Sequence, residues 1–262
     1  MDTVVAAVPV VVPLLLITAG VMLISAVQTL CIGLLGGEKK LYFPFSTMAA
    51  AVAIYQLSYA YSLSSNGIAD ALLGLKWQAA AITVFFPAAF LFMATYSRQK
   101  AVGFWFALVL ISSAALFVIN LLSPYSLRYE SVQPLQLYFT SSGELLHLVR
   151  GRQSLSGYLM HAYGLVILLW LFYRCIALFK QGKKRAAELF CLYLIMQLAA
   201  AIYGSMIDKG IVEGFYVAGY SFTALVLLMT TGAPLLICCR SWSLRVASQE
   251  VTLSTTPDPT DA

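Results

Sequence analysis

Residues 102–122 read VGFWFALVLISSAALFVINLL, a run without a single charge whose only strongly polar side chains are Ser112, Ser113 and Asn120. Coiled as an α-helix at about 1.5 Å per residue, such a run spans about 30 Å, the thickness of a bilayer's hydrocarbon core. Six more apolar runs flank it on both sides: Val10 to Leu35, Phe45 to Leu63, Trp77 to Tyr96, Tyr158 to Phe179, Ala187 to Ile207 and Phe215 to Cys239. Polar punctuation separates them, as at Gly36-Gly37-Glu38-Lys39-Lys40, Ser64-Ser65-Asn66-Gly67, Ser97-Arg98-Gln99-Lys100 and Lys180-Gln181-Gly182-Lys183-Lys184-Arg185. Helices are the expected form, because backbone groups in lipid must be satisfied within the segment. The whole chain has the same character: 262 residues, 61% hydrophobic, 10% charged, mean hydropathy +0.85. Soluble domains carry about 25% charged residues. A cytosolic enzyme is therefore excluded, and so is a single span followed by a large soluble domain.

The net charge of +5 is used for topology. With seven spans, one side of the membrane receives Lys39, Lys40, Arg98, Lys100, Arg174, Lys180, Lys183, Lys184, Arg185, Arg240 and Arg245. The other side receives only Lys76, Arg128, Arg150, Arg152 and Lys209. The positive-inside rule then places the amino terminus outside and the carboxyl terminus in the cytoplasm of a multi-pass cell-membrane protein. Met1-Asp2-Thr3 has no basic region, so the first apolar run is expected to remain as a span. Arg174, near the end of its run, is expected to snorkel.

The long loop between the fourth and fifth runs, about 123–156, alternates in polarity. Leu127 to Val132 and Leu135 to Thr140 both alternate, with Pro134 breaking between them, and Ser141-Ser142-Gly143 turns the chain into Glu144 to Arg150. Alternation around a Gly-containing turn predicts a small β-hairpin resting on the outer helix ends. The expected fold is thus an all-α membrane protein, a seven-transmembrane helix bundle with an extracytoplasmic β-hairpin between the fourth and fifth helices. Residues 1–240 form the sensor-like domain, and 241–262, polar and Pro-containing, form a short disordered cytoplasmic tail.

Several chemistries lack their residues. No Asp or Glu falls near a bilayer midplane, which weighs against proton- or cation-coupled pumping. The two histidines, His147 and His161, offer no ligand spacing, and Cys31, Cys175, Cys191, Cys238 and Cys239 follow none either. No metal, no cofactor and no catalytic residue are expected. The last span has no lysine for a Schiff base, and Ser112-Ser113 has no base within a turn, so the pair reads as helix packing. Pro87 and Pro234 are expected to kink their helices.

What remains is an outer-half set of uncharged polar and aromatic residues. Tyr55, Gln56 and Tyr59 share a helix face, and Gln56, Gln78 and Gln197 should point inward because buried amides need partners. Tyr61, Trp77, Tyr158 and Tyr216 fit an aromatic belt equally well. Either the set is belt and interhelical glue, or it lines a cleft open to the outside that binds a small molecule.

The chain resembles the seven-transmembrane sensor region found at the amino terminus of bacterial and archaeal histidine kinases. The resemblance is carried by Tyr55-Gln56-Leu57-Ser58-Tyr59-Ala60-Tyr61, by Leu75-Lys76-Trp77-Gln78 and by Phe85-Phe86-Pro87-Ala88-Ala89-Phe90-Leu91-Phe92-Met93-Ala94-Thr95-Tyr96. It continues in the hairpin loop with its exit into His161-Ala162-Tyr163, and in Gly214-Phe215-Tyr216-Val217-Ala218-Gly219-Tyr220-Ser221-Phe222. It covers roughly residues 10 to 240 and implies a receptor in which an outside or membrane-borne small molecule alters the bundle and the seventh helix drives a cytoplasmic module. The residues expected to bind that ligand are Tyr59, Trp77, Gln78, His161, Tyr163 and Tyr220. The chain departs from the family after Arg245, where no phospho-accepting His follows, so it is expected to be no enzyme itself. It would be either a sensor cut from a longer kinase or cyclase, or a receptor signalling to a separate partner. Expected partners are membrane lipids, the ligand, a cytoplasmic signalling module in cis or in trans, and optionally a second copy as a homodimer; nucleic acid is not among them. The competing function is a small-molecule transporter or channel, which requires a polar path to the cytoplasm.

Overall fold

The computed structural model describes residues 10–36, 39–99, 102–140, 143–208, 211–212, 214, 217, 219–221 and 223–224. Most of the seventh apolar run, including Pro234 and Tyr216, and all of the expected tail lie outside the described residues. Six helices and four short strands are described: α1 Val11–Leu35, α2 Lys39–Ser64, α3 Ile68–Tyr96, α4 Val102–Leu122, β1 Tyr129–Val132, β2 Gln136–Phe139, β3 Leu145–Leu148, β4 Gly151–Gln153, α5 Leu155–Lys180 and α6 Lys184–Asp208. Five of the helices, α1, α3, α4, α5 and α6, are long and apolar enough to cross a membrane. The chain is a mostly helical, multi-pass membrane protein with a small β element.

α1 illustrates the packing logic. Val11, Leu15, Ala19, Met22, Ala26, Thr29 and Gly33 are buried at three- and four-residue spacing, whereas Leu16, Ile17, Leu23, Ile24 and Val27 are exposed. Both faces are apolar, as expected where the outer face meets lipid instead of water. α2 differs. It packs between α1 and α3 and buries Tyr42, Ser46, Tyr55, Gln56, Ser58, Tyr59 and Ser62. Those polar groups find partners in neighbouring helices: Ser46 Oγ donates to Ala26 O (2.7 Å) and Ser62 Oγ to Ala71 O (3.0 Å). Flanked by a helix on either side, α2 presents only a narrow exposed stripe, Phe43, Ile54, Leu57 and Tyr61, and of the six helices it is the one not marked as a span by composition.

Two helix starts differ from the sequence reading. α2 begins at Lys39 rather than after Pro44: the helix runs through Pro44, which gives up one backbone bond, the one to the Lys40 carbonyl near the exposed start of the helix. α3 begins at Ile68 rather than Trp77. Asp70 in its first turn complements the helix dipole, and 29 residues make a rod of about 44 Å, longer than a hydrocarbon core of about 30 Å. The surplus carries Ala71, Leu72 and Leu75, which are buried against Tyr129 and Val149 of the β element.

The β element lies between α4 and α5. β2 pairs antiparallel with β3 (Gln136 opposite Leu148, Phe139 opposite Leu145), and β1 pairs with β4 (Val132 opposite Gly151). Pro134, which cannot donate to a ladder, sits in the gap between β1 and β2. Gly143, at φ +80°, takes the left-handed conformation at the turn. Asn120 fastens the start of this element. Fully buried, it donates through Nδ2 to Lys76 O (2.8 Å), and its Oδ1 accepts from Leu127 N (2.9 Å) and Ser126 Oγ (3.2 Å). Asn120→Ala removes these bonds and leaves the buried Leu127 N–H without its acceptor, so it should lower stability by about 2 kcal/mol. Reversible unfolding in detergent micelles checks this; an unchanged midpoint would remove Asn120 from the account.

The opposite end of the bundle is closed by cations on the carbonyl end of α3. Arg174 donates to Ser97 through Nε and Nη2 (3.0 and 2.7 Å), Gln181 Nε2 reaches Ser97 O (3.1 Å) and Lys183 Nζ reaches Tyr96 O (3.1 Å). Positive charge there complements the dipole. Arg174 thus turns to a neighbouring helix end. Burial, together with the nearby Arg98, pushes the Lys183 ammonium pKa down. Gly182, at φ +80°, ends α5, and Lys183 N bonds back to Leu178 O (3.1 Å).

Candidate functional site

At the β end, α1 starts at Val10-Val11-Val12, and no side chain of its own caps it. The orphan N–H groups of a helix start need an acceptor, and Glu144, just before β3, supplies one. Its Oε2 accepts from Val10 N (2.8 Å) and Val11 N (2.7 Å), and its Oε1 accepts from Val12 N (3.2 Å). Glu144 is only 6% exposed. Burial by itself would raise its pKa, but the three N–H groups outweigh that and hold the carboxyl below the usual carboxylate range. Beneath it, Val11, Leu15, Tyr59, Leu63, Leu146 and Leu148 form one buried cluster, with Tyr138 and Tyr220 packed on its side. Tyr220 OH donates to Val11 O (3.4 Å), so the β element, α1, α2 and the start of the seventh apolar run meet at one place.

One turn deeper, Gln56 is fully buried. Its Nε2 donates to Gly219 O (2.9 Å) and to Thr223 Oγ1, and Thr223 Oγ1 donates in turn to Gly219 O (3.0 Å). Gly219 packs in ordinary contact with Tyr55 and Gln56: a Cβ there would lie 3.4 Å from a side-chain atom of each. Ser221 Oγ donates to Gln197 Oε1, which draws in α6. The buried amide atoms Gln56 Oε1 and Gln78 Nε2 are two of those with no hydrogen-bond partner among the described residues.

The six residues expected to bind ligand divide into different environments. Tyr59 and Gln78 are buried, and Tyr220 is half-buried beside Val11. Tyr163 is half-buried on α5, where its hydroxyl pairs with Ser113 Oγ (2.7 Å) and donates to Val109 O (3.1 Å); its ring meets Phe86 edge-on. Trp77 is 56% exposed on the outer face of α3, and His161 is exposed, with Gln153 Nε2 against its Nδ1 (2.9 Å). Tyr61 and Tyr158, the belt candidates, are also exposed. The structure therefore draws Tyr59 and Tyr220 to one cluster and leaves Trp77 and His161 on the surface. The sequence reading missed the role of Glu144. Its signal was negative: Val8-Pro9-Val10 contains no Ser, Thr, Asp or Asn to cap α1.

A cavity of about 510 Å³ is found elsewhere. It lies between the first turns of α2, the second half of α3 and α4, and its lining includes Phe43, Pro87, Phe106 and Phe117. No group of three or more metal-ligating side chains is found among the described residues. No protein-family model matches the chain, and no curated protein matches it significantly.

Proposed function

We propose that the chain is a seven-span membrane sensor of the histidine-kinase sensor type, its amino terminus and β element outside. It would detect a small molecule at the β end and pass the signal through the seventh helix to a cytoplasmic module. The observation that carries this reading is the Gln56 junction: one buried amide joins α2 to Gly219 and Thr223 of the seventh run, directly below the cluster containing Tyr59 and Tyr220. A shift of the β element or α1 there is transmitted to the seventh run through packed atoms. The unpaired Gln78 Nε2 supports recognition of a polar ligand, since a buried donor left unpaired costs about 1–3 kcal/mol and a ligand acceptor recovers it.

The test is a thermal-shift screen of small polar molecules on the full chain in nanodiscs, with a fluorophore on a cysteine at position 224. The expected result is a compound that stabilises the protein and shifts the fluorescence. Gln78→Ala should weaken it about tenfold, the value of one buried hydrogen bond, and Gln56→Leu should leave binding intact while abolishing the fluorescence response. Equal binding in Gln78→Ala and Tyr59→Ala, or an unaltered response in Gln56→Leu, refutes the reading. Uptake of the compound into proteoliposomes would instead support a transporter.

A further inference from the structure

The cavity of about 510 Å³ between α2, α3 and α4 is independent of that junction. Phe43, Phe106 and Phe117 wall it, and Thr47, Pro87 and Ala114 are among the residues between those walls. Phe43, Val84, Leu110 and Val118, which also border it, are about half exposed, so the cavity opens sideways as a groove along the bundle. It runs from Thr83 to Leu91 on α3 and from Phe106 to Val118 on α4, lengths of about 12 and 18 Å. One leaflet of a hydrocarbon core is about 15 Å deep. The groove is therefore one leaflet long.

Its end is basic. Lys39 and Lys40 are exposed one helical turn before Phe43 and Pro44, on the same faces of α2. Arg98, also exposed, follows α3 at the same end of the bundle. Neither lysine forms an ion pair among the described residues. Both stand in the first turn of α2, which contains no acidic residue. Cations at a helix N-terminus are unfavourable against the dipole, and an anion beside them reverses the sign.

We propose that this groove seats one acyl chain of an anionic membrane phospholipid, with its headgroup phosphate against Lys39 and Lys40. The lipid enters laterally from the leaflet on the side of these lysines. The apolar lining takes the chain and the lysine pair selects the headgroup charge. The assignment stands whether or not the chain is a sensor.

Native mass spectrometry of the full chain, exchanged from mixed phosphatidylglycerol and phosphatidylcholine micelles, tests it. The expected result is one retained phosphatidylglycerol per chain, favoured about thirtyfold over phosphatidylcholine, as two lysines near a headgroup provide. Ala114→Trp, which fills the groove, should lose it, whereas Leu108→Trp on another face of α4 should keep it. Lys39→Gln/Lys40→Gln should retain lipid without the preference for anionic headgroups. A phosphatidylglycerol with a diazirine in its acyl chain provides a readout on the unmodified protein: adducts should concentrate in 83–91 and 106–118. Adducts spread evenly over the apolar faces of α5 and α6, retention unchanged in Ala114→Trp, or no headgroup preference in the unmodified chain would each overturn the proposal.

Discussion

Glu144→Ala should lower stability by about 3 kcal/mol, more than a typical helix cap is worth. The carboxylate serves three N–H groups at once, it is buried, and its charge opposes the positive end of the α1 dipole. Leu146 and Leu148 keep their apolar contacts in the variant, so the β element should stay docked while the first turn of α1 frays. Hydrogen exchange at Val11 and Val12 should rise sharply, with little change at the far end of the helix. The pH dependence has a definite sign. The folded carboxyl has a lowered pKa, so its stabilisation is complete above the unfolded value of about 4.3. As pH falls below that, the unfolded chain takes up a proton that the folded chain resists, and stability declines until pH passes the folded pKa. Glu144→Gln keeps an acceptor oxygen but no charge, so it should lose part of the stability and flatten this acid slope. Parallel slopes for the two proteins between neutral pH and pH 3 would show that the cap is energetically idle.

A second large effect is expected at Gly74, where it grows with the size of the side chain introduced. A Cβ there would sit 2.7 Å from Ser58 O and 2.8 Å from Ser62 Cβ, against the backbone of α2 rather than a movable side-chain tip. Alanine in a helix is better than glycine by about 1 kcal/mol, but overpacking against backbone costs about 3. Gly74→Ala should therefore destabilise by about 2 kcal/mol, and Gly74→Leu should prevent α2 and α3 from closing at all. Gly20 and Gly103 have nothing within 4 Å of an added Cβ, and Gly20→Ala and Gly103→Ala should be neutral or slightly stabilising. If all three alanine variants melted alike, the close approach of α2 and α3 at Gly74 would not exist in solution.

These two positions show how far the amino-acid sequence carries. Helix α4 was legible to the residue, Val102 to Leu122, because lipid imposes one simple demand, a continuous apolar run between polar ends. α3 was legible only in part. Its first nine residues contain Asp70 and Lys76, which argue against lipid, and they are helical because the β element packs on Ala71, Leu72 and Leu75. That contact joins residues far apart in the chain and leaves no local periodicity. The inward direction of Gln56 and Gln78 followed from the cost of burying an amide. The partners of Gln56 did not, because Gly219 and Thr223 are over 160 residues from it.

Composition and run length thus determined that the chain lives in a bilayer as a bundle of helices, since solvent acts on each segment separately. The tertiary structure alone decided which acid caps α1, which glycine admits a neighbouring backbone, and that the large groove lies away from the β end. Each of these depends on atoms brought together across the chain, and no local rule of sequence encodes such a meeting.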